Sequence, residues 1–287
     1  MNDRRRLIAA ETISILERGW YDHAEAGRVR IADDLARSVA ATRLWTPEES
    51  RAALDGLATG ASAAPGRAAS RIEVANEASL AATRRLGGRV GCLNFASAKN
   101  PGGGFRGGAE AQEESLARSS GLYRCLLEAP GFYAFHRSQR DLLYSDHVVF
   151  SPEVPVFRDE HGGLLPGPYP VSFVTAAAPN AGALGLGHPR AALLPGVLSA
   201  RAARVLAVFW ASGLHRLVLG AWGCGVFRNP PESVAAAFAQ HLGPSGMFHS
   251  RFEHVVFAVL DRAPGARTFG AFAAALDDPV SSRTRGE

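Results

Sequence analysis

From residue 90 onward, short apolar runs alternate with longer helical patterns, and a chain written that way is confined to a sheet layered between helices. Val90, Cys92, Leu93 and Phe95 mark a buried strand over 90–95. Residues 110–129 keep Leu116, Tyr123, Leu126 and Leu127 in helical register and stop at Pro130-Gly131. Strand-like runs follow at 147–150 and 171–176. A helical pattern over 197–212 ends at Gly213, residues 215–219 are strand-like, and Asn229-Pro230-Pro231-Glu232 opens a helix through Leu242. A strand at 255–260 and a helix at 269–276 complete the alternation. The expected fold class is α/β, with helices on both faces of the sheet.

The first part of the chain reads differently. Leu7, Thr12, Ile15 and Leu16 keep helical spacing, as do Val29, Leu35 and Val39, and Thr46-Pro47-Glu48-Glu49 has the form of a cap followed by a first turn. The Gly- and Ala-rich stretch 60–66 breaks that pattern. The expectation is a helical extension over 1–66 followed by the main domain over 67–287. At 47% hydrophobic and 20% charged residues, 287 residues suffice to bury a full core.

Charge and cysteine content narrow the function classes. A net charge of +4 is a weak surplus, and the arginine clusters Arg4-Arg5-Arg6 and Arg84-Arg85 sit in polar, solvated stretches, so no nucleic-acid patch is assigned. Cys92, Cys125 and Cys224 are widely spaced without a C-x-x-C, which predicts reduced thiols and a cytoplasmic protein. Arg204, His215 and Arg216 interrupt the longest apolar stretch short of the ~20 residues of a membrane span, and no membrane partner is expected. His215, His241 and His249 lack an i,i+4 carboxylate, and His136 and His147 have no partner readable from sequence, so no metal site is assigned. Serine-nucleophile chemistry lacks its G-x-S-x-G, and Cys224 between two glycines reads as a choice for small size.

The informative stretch is Asn100-Pro101-Gly102-Gly103-Gly104, followed after seven residues by Gln112-Glu113-Glu114. It joins a strand end to a helix start, where open α/β sheets place their ligands. Glycines there let backbone N–H groups approach an anion, and the helix behind contributes free N–H groups and a favourable dipole. The run is neither a P-loop, since no Gly-Lys-Ser/Thr follows it, nor a dinucleotide G-x-G-x-x-G. First-turn carboxylates often only complement the helix dipole. Two of them beside an anion cradle fit glycosidic cleavage, in which a carboxylic acid protonates the leaving oxygen and negative charge stabilises an oxocarbenium-like centre. A second turn, Gly223-Cys224-Gly225-Val226-Phe227, follows another strand and precedes the Asn229-Pro230-Pro231 helix start. Two cradles suit a diphosphate. Phe227 either stacks on a base or ribose or packs in the core.

The triple glycine with its Gln-Glu-Glu resembles the signature of poly(ADP-ribose) glycohydrolases, whose catalytic unit is a macrodomain. Asn94-Phe95-Ala96-Ser97-Ala98-Lys99-Asn100-Pro101, the stretch Arg71-Ile72-Glu73-Val74-Ala75-Asn76 and residues 223–227 are similar to the smaller bacterial-type members, over roughly 72–276. The resemblance implies a three-layer α/β/α macrodomain with a mixed central sheet and an N-terminal helical extension. It implies hydrolysis of the ribose–ribose O-glycosidic bonds of poly(ADP-ribose), mainly from chain ends, with ADP-ribose as product, ADP-ribosylated proteins as partners, and no cofactor or metal. In that scheme Glu114 is the acid/base and Glu113 holds ribose hydroxyls. Gln112 supports the loop, and Gly102, Gly103 and Gly104 approach the distal ribose and diphosphate. Asn100 contacts the distal ribose, while Gly223, Cys224, Gly225, Val226 and Phe227 close over the diphosphate and ribose. Ser97 stands near a position where macrodomains often carry a ligand-binding Asn, and Thr268 and Phe269 would restrict the adenosine side. The resemblance further suggests a monomer and a place in the DNA damage response. Two alternatives are a mono-ADP-ribosyl-protein hydrolase and a non-catalytic ADP-ribose-binding macrodomain.

Overall fold

The structure is a computed structural model that describes residues 2–59, 69–185 and 187–276. Its strands are β1 (Trp20–His23), β2 (Gly27–Arg30), β3 (Arg43–Trp45), β4 (Arg71–Ala75), β5 (Val90–Phe95), β6 (Val148–Arg158), β7 (Leu164–Ala176), β8 (Arg216–Gly220) and β9 (His254–Ala258). Seven of them form one mixed sheet in the order β3-β6-β7-β5-β8-β9-β4. The run β7-β5-β8-β9-β4 is parallel, and β6 lies antiparallel to both β3 and β7.

The parallel strands are buried on both faces, and their period of two sorts side chains into separate cores. Leu93 of β5, Leu217 and Leu219 of β8 and Val255 and Phe257 of β9 enter one core with helices Leu194–Ala211, Pro231–Leu242 and Arg267–Leu276. Cys92, Val218, Val256 and Ala258 face the other way, against helices Ser79–Leu86, Leu122–Leu127 and Pro130–Ser138. Two cores on one sheet make the three layers. The stretch Pro189–Ala211, which ends in helix Leu194–Ala211, is apolar and long enough to qualify by composition as a membrane span. Here it is a core helix, with Leu198, Val205 and Phe209 fully buried, and Arg201 paired to Asp146 at 2.8 Å.

Two expectations need correction. Residues 2–59 are not helical throughout. Val29 lies in the β1–β2 hairpin, where Gly27 takes φ 67° and Arg28 stacks on Trp20. β3 is the edge strand of the main sheet, and helix Pro47–Thr59 packs its Ala53, Leu54 and Leu57 on the core, so this segment is built into the domain. The boundary expected at 66–67 lies outside the described residues. The helix expected over 110–129 is two helices, Gln112–Ser119 and Leu122–Leu127. Ser120 turns extended to bridge Val156, and Gly121 N–H donates to Pro155 O at 2.9 Å, so pairing with the sheet overrides helical periodicity. The start at Thr46 is a reciprocal cap: Glu49 N–H donates to Thr46 Oγ1 (3.2 Å) and Thr46 N–H to Glu49 Oε2 (2.8 Å).

Candidate active site

β5 ends at Phe95, and the chain winds through the glycine turn and a 3₁₀ turn, Phe105–Gly107, before helix Gln112–Ser119. Gly102 (φ 69°) and Gly103 (φ 57°) are consecutive left-handed residues, a backbone few side chains tolerate. A Cβ on Gly103 would strike the Glu114 carboxylate. The turn and that carboxylate meet only because the side chain is missing. Gly104 N–H donates to Glu114 Oε1 at 3.0 Å, and Glu114 stays partly exposed.

Glu113 points elsewhere, as the ~100° between helical neighbours requires. It is 2% exposed, and its oxygens accept from Ser97 N–H (2.6 Å) and Asn94 Nδ2 (3.3 Å). Burial pushes its pKa up to about 8, against the lowering effect of the Ser97 amide, the Asn94 side chain and the Gly102 amide, while the Glu114 charge adds to the rise. At neutral pH Glu113 is therefore largely protonated, which lets an anionic ligand approach. Gln112 is a latch. Its Oε1 accepts from Phe95 N–H (2.9 Å), and its Nε2 donates to Leu93 O (2.8 Å) and Ser79 Oγ (3.2 Å), tying the helix start to the end of β5. Asn100 is exposed, its carbonyl accepting from Gly103 N–H at 3.0 Å. Ser97 contributes its backbone amide to Glu113, a role the residue type did not signal.

The second turn leaves β8. Gly223 is left-handed (φ 76°), and a Cβ there would sit 2.6 Å from Asn229 Nδ2. Asn229 is buried and pins the turn, donating to Pro179 O (2.8 Å) and Gly223 O (3.0 Å). Burial pushes the Cys224 thiol up to about 12, which removes its reactivity at neutral pH. Gly225 and Val226 form the exposed tip. Phe227 is half-buried, packed on the core and against Tyr144 with ring centroids 5.6 Å apart.

A cavity of about 580 Å³ opens at the carboxyl ends of β5, β8 and β9, with Phe95, Ala221, Ala258, Val259 and Leu260 among its walls. It borders helix Gln112–Ser119 on the face of Gln112, Ser115, Leu116 and Ser119, whereas Glu113 and Glu114 face the glycine turn. The carboxylates and the cavity thus flank the same helix start. Arg262 also lines the cavity, and Asp261 beside it accepts from the amides of Thr268 (2.8 Å) and Phe269 (3.3 Å). Residue pattern alone does not signal this cavity or Asn94 and Tyr144 as supports. Polar side chains at the buried end of β5 were the available signal for Asn94.

His136 and His147 find their partner in Ser145, whose hydroxyl lies 2.8 Å from His136 Nε2 and 2.9 Å from His147 Nδ1. Among the described residues no group of three or more His, Cys, Asp or Glu is placed to hold a metal ion.

The family described as microbial-type PARG, catalytic domain, matches residues 9–159, which run from the first helix through β6 and include both glutamates. The chain belongs to that family. Microbial-type PARG structures fit it along most of its length. It is 55% identical to the poly(ADP-ribose) glycohydrolase (PARG) of Thermomonospora curvata, covering 95% of this chain and 99% of that one with a TM-score of 0.91. The same enzyme bound to the inhibitor ADP-HPD is 53% identical, with a TM-score of 0.88 and the same coverage. The PARG of Deinococcus radiodurans, solved in complex with ADP-ribose, is 46% identical over 84% of this chain and 96% of that one, with a TM-score of 0.77. No curated protein matches. The three-layer PARG-like architecture expected from the sequence is thus the observed one, with the N-terminal segment inside the matched region.

Proposed function

We propose that the chain hydrolyses the ribose–ribose O-glycosidic bonds of poly(ADP-ribose) and releases ADP-ribose. The observation that carries this reading is the placement of the Glu114 carboxylate on the glycine turn, held by Gly104 N–H at 3.0 Å and next to the buried Glu113. The diphosphate lies between the two glycine turns, and the adenosine occupies the cavity bounded by Phe95, Ala221 and Val259. Glu113, held by Ser97 and Asn94, fixes the distal ribose hydroxyls.

Glu114 then protonates the leaving ribose oxygen as the C1″–O bond breaks, and the cationic sugar is stabilised by the substrate's own diphosphate. The carboxylate left behind takes a proton from water, whose oxygen bonds to C1″. One carboxyl serves both steps, because Glu113 is committed to its buried partners and cannot flank the same bond from the opposite face. The Thr268–Phe269 segment, tied to Asp261 next to Arg262 of the cavity wall, closes the adenosine side and directs the enzyme to chain ends. A monomeric cytoplasmic enzyme acting on ADP-ribosylated proteins, within the DNA damage response, completes the proposal.

Purified protein incubated with labelled poly(ADP-ribose) should yield free ADP-ribose. Intact polymer, with mono-ADP-ribosylated protein cleaved instead, would replace this reading with that of a mono-ADP-ribosyl-protein hydrolase. Binding of ADP-ribose without cleavage of either would make it a reader.

A further inference from the structure

The N-terminal helix Asn2–Arg18 does not merely cover the domain; its first two turns grip the link between the glycine turn and the two glutamates. Arg5 Nε donates to Gly108 O at 2.8 Å, and Arg5 Nη1 pairs with Glu110. Arg6 Nε donates to Gly107 O at 3.0 Å. The Asn2 amide, oriented with its nitrogen toward the link, donates to the carbonyls of Gly107 (3.2 Å) and Gly108 (2.9 Å). Gly108 is left-handed (φ 81°), and a Cβ there would run into Asn2. Below this grip, Ala9 is buried with Phe105 and Ala117, and Thr12 Oγ1 donates to Arg118 O at 2.6 Å. Arg118 in turn donates to Ala109 O at 2.6 Å. The backbone carbonyls of residues 107, 108 and 109 are thus each held by an arginine or asparagine side chain, three of these four side chains coming from residues 2–6.

We infer that Arg5, whose side chain also lines the cavity, is a positioning residue for Glu114, acting through the 107–111 link; the inference rests on Glu114 being the acid/base. The link decides where the turn that holds Glu114 Oε1 sits relative to the helix that carries Glu114. Among the described residues, Arg5 is the one side chain that ties both a carbonyl of the link and the Glu110 carboxylate just before the helix. A shift of about 1 Å in a reacting group costs up to ~10²-fold in rate.

The test uses the full chain. Arg5→Ala should lower kcat on poly(ADP-ribose) by ~10- to 100-fold, a larger effect than any rise in KM from the loss of its side chain at the cavity wall. Arg5→Lys, which keeps a cation but only one point of attachment, should fall between it and the parent. In a Glu114→Gln background, adding Arg5→Ala should change the residual rate by less than about twofold, because the positioned group is gone. Parent-like kcat in Arg5→Ala, a loss confined to KM, or an equal loss in the Glu114→Gln background would each overturn the inference. A parent enzyme that leaves the polymer intact would instead refute the proposed function. Should Arg5→Ala fail to fold, the same three readouts apply to Arg6→Ala, which removes a single bond to Gly107 O and should lose about 3- to 10-fold in kcat.

Discussion

Replacing Glu113 by Gln should change the pH dependence of folding stability more than any other single substitution in the site. In the folded chain burial raises this carboxyl from its ordinary 4.5 to about 8. A proton bound only by the folded state is worth about 1.4 kcal/mol per pH unit between the two values. Because the folded value is the higher one, the stabilisation is complete below pH 4.5 and disappears as the pH rises to about 8. That window spans about 3.5 pH units, so the ceiling on the loss is roughly 5 kcal/mol. The Gln variant has no proton to lose there. Guanidinium unfolding of parent and Glu113→Gln at intervals from pH 5 to 8.5 isolates the effect, since His136, held down to about 4 by burial, and every other titrating group cancel in the difference. The parent should lose several kcal/mol relative to the variant across the window. Difference curves flat within about 0.5 kcal/mol would mean that Glu113 is ionised in the fold at neutral pH, and its description as a protonated buried carboxyl would be wrong.

The same protonation predicts that ADP-ribose affinity, followed by calorimetry, weakens as the pH passes about 8 in the parent and not in Glu113→Gln. Gly103→Ala places a methyl against the Glu114 carboxylate on a backbone at φ 57°, and should cost about 1–3 kcal/mol in stability and at least ~10²-fold in kcat, measured by denaturant melts and polymer turnover. Gln112→Ala removes an acceptor for Phe95 N–H and a donor to Leu93 O; it should lower stability by about 1–3 kcal/mol with faster amide exchange at Phe95. Phe227→Ala takes away the ring packed on Tyr144 and should weaken ADP-ribose binding in the same calorimetric assay by about tenfold, consistent with a lost aromatic contact of ~1 kcal/mol plus a looser turn.

Much of this architecture was legible because the parallel strands are buried on both faces. Short, largely apolar runs such as 90–95 point to a buried interior strand, and β5 has those bounds. β4 was harder to see as a strand from its pattern, since Arg71 and Glu73 sit at the sheet edge where Glu73 pairs with Arg85 and His254. β3 is three residues long, too short for a period to register, and only its pairing with β6 defines it. The site was legible where chemistry depends on residue type, as in the triple glycine with Gln112, Glu113 and Glu114. It was not legible where the chain acts through its backbone or through distant packing. Ser97 serves by its amide, Asn94 by an orientation fixed between Glu113 and Thr175, and Tyr144 by touching Phe227 from 83 positions away along the chain. The grip of residues 2–6 on the 107–111 link is of the same kind.

The central claim is that Glu114 performs the proton transfers while the glycine turns and Glu113 hold the nucleotide. Paired measurements on Glu114→Gln address it most directly: ADP-ribose affinity by calorimetry and release of ADP-ribose from labelled polymer. The account predicts affinity within about threefold of the parent, with turnover reduced by ~10²- to 10⁴-fold. Turnover at the parental rate, or loss of binding in step with loss of cleavage, would contradict it.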